Sequence, residues 1–126
     1  MPEKEFVTWE DIDNFVKKIK NDYSLTKLTG VFGIPRGGLI MAVLISHALN
    51  IPLLTSPCDD CIIIDDICDS GESLLHYYKN TSGGGRKRYH IITMYYKENA
   101  LEVKPDYYLK NKEDKWIVFP WESKEE

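Results

Sequence analysis

The stretch CIIIDDICDSGESLL, residues 61–75, decides how this chain is read. An apolar, β-branched run ends in two adjacent acids, Asp65 and Asp66. A third acid, Asp69, comes three residues later, and the small residues Ser70, Gly71 and Ser73 lead into a helical pattern over 70–78. A short apolar run bounded by turn residues reads as a buried strand, and the small residues after it as a turn into a helix N-terminus. Three carboxylates crowded at a strand exit are costly unless something neutralises them. The question for the rest of the sequence is what that could be.

Upstream, Thr8 with Asp11 has the form of a capping box. Trp9, Ile12, Phe15, Val16, Ile19 and Tyr23 then recur at spacings of three and four, which predicts an amphipathic helix. TGVFGI from Thr29 predicts a short buried strand. PRGG breaks it, and 39–49 predicts a helix apolar nearly all round, hence covered on more than one side. IPLLT predicts a second strand and CIIID a third, joined only by residues 56–60. Downstream, KNTSGGGRKR predicts an exposed loop, YHIITMYY a fourth strand, and DYYL and WIVF two shorter ones. Apolar strands alternating with helices imply a mostly parallel central sheet flanked by helices, an α/β fold. Ligands in such folds bind beyond the carboxyl ends of the strands, which puts GIPRGG and DDICDSGES on one rim.

The bulk numbers agree with a single domain over residues 1–126. The chain is 43% hydrophobic and 29% charged, ordinary for a folded globular protein. A net charge of −4 gives no reason to expect nucleic acid as a partner, and the local basic triplet Arg86, Lys87, Arg88 reads as a solvated loop end. No apolar run is long enough to span a membrane, and MPEKEFVTWEDID is not a signal peptide. Three cysteines, an odd count, fit a reducing cytoplasm better than a disulfide framework. Cys58 and Cys61 form a C-x-x-C without the second pair that a structural zinc site needs, so they read as incidental thiols in a turn.

The rim residues suggest a chemistry. A turn of small residues entering a helix exposes backbone N–H groups at the positive end of the helix dipole, where Ser70 and Ser73 add hydroxyls: a cradle for a phosphate monoester, or else a plain helix cap. Adjacent side chains on a strand point to opposite faces, so Asp65 and Asp66 separate, one toward a ligand and one toward a supporting partner. Sugar hydroxyls or Mg²⁺ would keep them from repelling a nearby phosphate; two solvated acids are the plain alternative. Gly37 and Gly38 permit an anion close to the next helix N-terminus, and Arg36 offers a fork for phosphate oxygens. One loop would take a pyrophosphate and the other a monophosphate, with sugar hydroxyls between.

That combination resembles the type I phosphoribosyltransferases, whose substrate is 5-phosphoribosyl 1-pyrophosphate. IIIDDICDSGESL resembles their thirteen-residue signature. FVTWEDI, GIPRGGLIMA, MYYK and DKWIVFPWE, in order along most of the chain, resemble the bacterial xanthine–guanine branch. The resemblance implies a phosphoribosyltransferase-like sheet with a minimal hood, and transfer of the phosphoribosyl group to a 6-oxopurine in the cytoplasm, within purine salvage. It also implies Mg²⁺ as cofactor, phosphoribosyl pyrophosphate and a purine base as partners, and a homo-oligomer, dimer or tetramer. Asp65 and Asp66 would hold the ribose hydroxyls directly or through the metal. Asp69 would be the general acid/base near N7 of the purine. Asp69, Ser70, Gly71, Glu72 and Ser73 would wrap the 5′-phosphate, and Arg36, Gly37 and Gly38 the pyrophosphate, with the Pro35–Arg36 peptide cis. Lys97 would reach the 6-oxo group, Trp116 stack on the base, the Ile117 backbone meet the purine edge and Glu122 stand near the 2-position. Without the resemblance, Lys97 reads as a surface lysine and Trp116 as core.

The family's long loop before the signature strand, which closes over the site, has no counterpart: only TSPCDD joins IPLL to CIIID. A lid could come from a neighbouring subunit or from NTSGGGRKR. The alternatives are slow catalysis, or a non-catalytic module that binds phosphoribosyl pyrophosphate or a nucleotide. A phosphoacceptor signalling domain would want its acid pair after the first strand and leaves PRGG and KWIVFPW unexplained. His47, His76 and His90 have no evident serine or cysteine partner for nucleophilic hydrolysis.

Overall fold

The computed structural model describes residues 3–79, 88–98 and 103–122. In chain order the elements are β1 (Glu3–Phe6), α1 (Trp9–Asp22), β2 (Val31–Gly33), α2 (Gly37–Leu49), β3 (Cys61–Cys68), α3 (Glu72–Lys79), β4 (Tyr89–Tyr96), β5 (Tyr107–Asn111) and β6 (Lys115–Val118). Of the loop expected over KNTSGGGRKR, residues 80–87 lie outside the described ones, as do Arg86 and Lys87 of the basic triplet.

β2, β3, β4 and β5 form a parallel sheet in that order. The period of two divides β3 between two cores. Ile62 and Ile64 face a layer made by α1 and α2 with Ile12, Phe15, Ile19, Met41 and Ile45. Cys61 and Ile63 face the opposite layer with Leu74 of α3 and Tyr89 and Ile91 of β4. Both faces of the sheet are covered, which is why its strands read as continuous apolar runs.

α1 begins where the capping box predicts. Thr8 Oγ1 accepts from the Asp11 N–H at 3.0 Å, and the Thr8 N–H donates to Asp11 Oδ2 at 2.9 Å. Such a cap contributes about 1 kcal/mol. α2 starts two residues earlier than the periodicity suggests, at Gly37, and its outer face is less covered than expected: Leu39 and Val43 are exposed while Met41, Ala42 and Ile45 are buried. Among the described residues no helix is long and apolar enough to cross a membrane.

IPLLT does not form the expected strand. It contributes one parallel bridge, Leu53 to Val31, with the Val31 N–H donating to the Pro52 carbonyl at 2.9 Å and the Leu54 N–H to the Val31 carbonyl at 2.8 Å. Pro52 lacks an N–H, which suits an edge rather than a ladder. The connection after it stays at the amino ends of the strands. The Thr29 N–H donates to the Asp60 carbonyl at 3.1 Å, the Asp60 N–H to the Arg88 carbonyl at 2.8 Å, and the Arg88 N–H to Asp59 Oδ1 at 2.6 Å. Cys58 and Cys61 are free thiols in this turn.

A second, two-stranded parallel sheet pairs β1 with β6, the Glu3 to Lys115 and Phe6 to Val118 registers marking its ends. It is tied to the main sheet through Glu5, whose Oε2 accepts from Tyr95 Oη at 2.7 Å and from Lys110 Nζ at 3.2 Å. The Tyr95 hydrogen bond, ahead of the opposing cost of burial, holds Glu5 below the usual carboxylate range. This small sheet is the hood.

Candidate functional site

Because the four main strands are parallel, Gly33, Cys68, Tyr96 and Asn111 end on one rim, and each leads there into a loop carrying candidate residues. After β2 the Pro35–Arg36 peptide is cis and Arg36, exposed, precedes α2. The next two glycines permit a close approach. A β-carbon at Gly37 would collide with the Asp66 carboxylate, its Cγ at 2.8 Å, and one at Gly38 would collide with the Ile64 carbonyl and press on the Asp65 Cα at 3.1 Å. The N-terminus of α2 therefore lies directly against the acid end of β3, and the PRGG loop and the acid pair share one site.

β3 does not stop at the acids, as its sequence suggests, but runs on through Cys68. Asp65 and Asp66 thus alternate across a continuing strand. The Asp66 N–H donates to Asp65 Oδ1 at 2.9 Å and the Ile67 N–H to Asp66 Oδ1 at 2.8 Å, so each carboxylate is locked by a neighbouring amide. Asp65 is only 8% exposed. Burial first, and then the charge of Asp66, raise its carboxyl to about 8. Near neutrality the pair holds a proton that a nearby cation would displace.

Beyond β3, residues 67–71, 73 and 74 line a cup of about 130 Å³. Gly71, at φ 85°, turns the chain in a conformation that residues with a β-carbon resist, and Ser70 Oγ accepts from the Glu72 N–H at 3.3 Å as the cap of α3. Several times the volume of a water, the cup has room for a tetrahedral oxyanion at the positive end of α3. Ser73 lies among its walls; Glu72 and Asp69 are exposed beside it.

Lysines stand at the same rim after β4 and β5, and the aromatic candidate sits on the second sheet. Lys97 comes just after β4, its N–H donating to the Cys68 carbonyl at 2.8 Å, and its ammonium pairs with Asp114 at 3.6 Å. Trp116 is not core: it is 60% exposed on β6, while Ile117 beside it is buried. Alternation on a two-stranded sheet, with Ile117 taking the core side, explains why. Glu122 closes a turn by accepting from the Phe119 N–H at 2.8 Å. It lines a groove of about 430 Å³ whose walls include neither Lys97 nor Trp116. Lys112, which no motif singles out, comes just after β5 and pairs with Asp69 at 3.9 Å.

Among the described residues no group of three or more His, Cys, Asp and Glu could hold a metal unaided. Asp65 and Asp66 nevertheless suit Mg²⁺, which keeps most of its waters and takes one or two carboxylates with substrate oxygens completing the shell.

No family model matches the chain. Individual proteins do. The chain is 31% identical to the purine phosphoribosyltransferase of Pyrococcus horikoshii, and the two structures match with a TM-score of 0.79 over 96% of this chain and 95% of that one. It is 24% identical to the xanthine-guanine phosphoribosyltransferase of Idiomarina loihiensis over 93% of this chain and 86% of that protein. The Helicobacter pylori xanthine-guanine-hypoxanthine phosphoribosyltransferase, 17% identical, shares the fold at a TM-score of 0.75 over 96% of this chain and 93% of that one. With these likenesses spanning the rim, both sheets and the hood, the chain belongs to the type I phosphoribosyltransferases, beside their purine members.

Proposed function

We propose that this chain, as one domain over residues 1–126, transfers the 5-phosphoribosyl group from phosphoribosyl pyrophosphate to a 6-oxopurine, xanthine, guanine or hypoxanthine, giving a nucleoside monophosphate and pyrophosphate. The observation that carries this reading is the contact of Gly37 and Gly38 with Asp66 and Asp65, which makes two anion-binding loops into one clamp. Arg36 and the first amides of α2 hold the departing pyrophosphate, whose charge grows as the C1–O bond breaks. The cup at 69–73 holds the 5′-phosphate, and Asp65 and Asp66 face the ribose hydroxyls. Asp65 and Asp66 would hold Mg²⁺, which would supply positive charge against the developing charge of the leaving group.

On the other half of the rim, Trp116 offers an exposed face for the base, Lys97 a donor for its 6-oxo oxygen, and the Ile117 backbone a contact for the purine edge. Asp69 stands between the halves as general acid/base for the purine. Glu122, bound to its own turn at Phe119, acts near the 2-position through the geometry of that turn. A dimer or tetramer in the cytoplasm is part of the reading.

The test is to incubate the chain with Mg²⁺, phosphoribosyl pyrophosphate and each 6-oxopurine and assay nucleotide. Turnover that falls about a hundredfold, to a residual measurable rate, in Asp69→Asn supports the reading. A folded chain that does not bind the sugar pyrophosphate refutes it. Tight binding without product would make the chain a regulatory module for that ligand or a nucleotide, a second reading favoured by one observation: residues 55–60 are stitched to the amino ends of the strands and carry no lid.

A further inference from the structure

The geometry points to Lys112 as a positioning residue that draws the Asp69 carboxylate toward the base half of the rim. Asp69 lies among the residues that line the phosphate cup. Yet its Oδ2 pairs with Lys112 Nζ at 3.9 Å, and Lys112 belongs to the segment after β5. In the order β3, β4, β5 these segments are two strand spacings apart, roughly 10 Å. The pair therefore reaches across the carboxyl end of β4.

Both ends of this strap are anchored differently. The Lys112 N–H donates to the Tyr96 carbonyl at 2.8 Å, continuing the β4–β5 ladder past Asn111, and the lysine side chain is only 12% exposed. Its side chain, largely buried, has little room to move. Asp69 is 57% exposed and is the movable partner. A fixed cation beside a movable carboxylate sets where the carboxylate points. A mostly buried lysine is costly unless paired, and among the described residues the ion pair that Lys112 makes is the one with Asp69.

This inference rests on the phosphoribosyl-transfer reading, with Asp69 as its acid/base. The test compares Lys112→Met, which keeps the stem and removes the charge, with Lys112→Arg, Lys112→Gln and Asp69→Asn in steady-state kinetics with Mg²⁺. For Lys112→Met and Lys112→Gln, kcat should fall about tenfold while KM for phosphoribosyl pyrophosphate and for the base stays within about twofold. Lys112→Arg should recover most of the loss. In an Asp69→Asn background, Lys112→Met should change kcat by less than about twofold, because the partner it positions is gone. Thermal midpoints of the variants control for folding. An unchanged kcat in folded Lys112→Met, a loss confined to KM, or additive losses in the double variant would each overturn the role while leaving the transferase reading intact. An inactive wild-type chain would remove both.

Discussion

Asp65→Asn should abolish a decline in stability that the wild-type chain shows as pH rises. The group titrates near 3.8 in the unfolded chain and near 8 in the folded one. Between these values the folded state holds a proton that the unfolded state has released, so unfolding free energy falls with rising pH. This group costs nothing below the lower value, and its full penalty is present above the upper one. At 1.36 kcal/mol per pH unit the whole interval has a ceiling of about 6 kcal/mol. Asp66 is half-buried and reached by water, so about 2–3 kcal/mol should be realised. Asparagine keeps the oxygen that accepts from the Asp66 N–H while removing the charge. Urea unfolding at a series of pH values gives the measurement. At pH near 4 the two proteins should be about equally stable, and near 8 the variant should exceed wild type by about 2 kcal/mol at constant m value. His90, whose burial lowers its pKa, and Glu5 titrate in both proteins and cancel in the difference. Parallel curves for the two proteins would refute the reasoning. Adding Mg²⁺ near pH 8 should stabilise wild type more than the variant.

Other outcomes rest on particular contacts. Gly37→Ala drives a methyl into the Asp66 carboxylate and should cost about 1–3 kcal/mol in thermal or urea unfolding, with a raised KM for phosphoribosyl pyrophosphate. Trp116→Ala, at an exposed position, should leave stability within about 0.5 kcal/mol yet raise KM for the base about tenfold, a split that a core tryptophan could not give. Tyr95→Phe removes the hydroxyl that ties Glu5 to the main sheet and should cost about 1.5–3 kcal/mol. Because that bond lowers the Glu5 pKa, its contribution is present above the unfolded carboxyl value and is lost as pH falls through the folded one, so wild type and Tyr95→Phe should converge in acid.

The sheet and its rim were legible because they depend on local pattern. β4 matches YHIITMYY residue for residue, and α1 begins at its capping box, since apolar periodicity and a side-chain cap are properties of neighbouring residues. IPLLT looked like a strand for the same reason and is not one, because whether an apolar run pairs depends on what lies beside it. The opposite error occurred at EKEF. Its single apolar residue gives no strand pattern, and β1 exists because β6, more than a hundred residues away, supplies its ladder. Trp116 could be recognised as exposed only through resemblance, since composition ranks tryptophan with the core. Lys112 was invisible: nothing in KNKED marks one lysine as mostly buried, and its partner lies across two strands.

The acids near the carboxyl end of β3 impose a cost that the protein alone does not offset. Asp65 gives up water without gaining a cation, and its carboxylate accepts from the amide of another acid. A strand end evolved for stability would place an apolar or amide side chain there. The two glycines deepen the arrangement, because they let the N-terminus of α2 close on the pair where any larger residue would hold it away. The first residues of α2 then stand beside the pair, with a cup for an oxyanion a few residues further on. Such a site lowers the stability of the empty fold and regains that free energy when a ligand brings both a cation and anionic oxygens. A divalent ion alone satisfies the acids and leaves the amides facing water; a phosphate alone does the reverse. A sugar bearing phosphate groups at two ends and carrying its metal satisfies all of them together, which is why the charge pattern favours that ligand over a simple anion or a simple metal site.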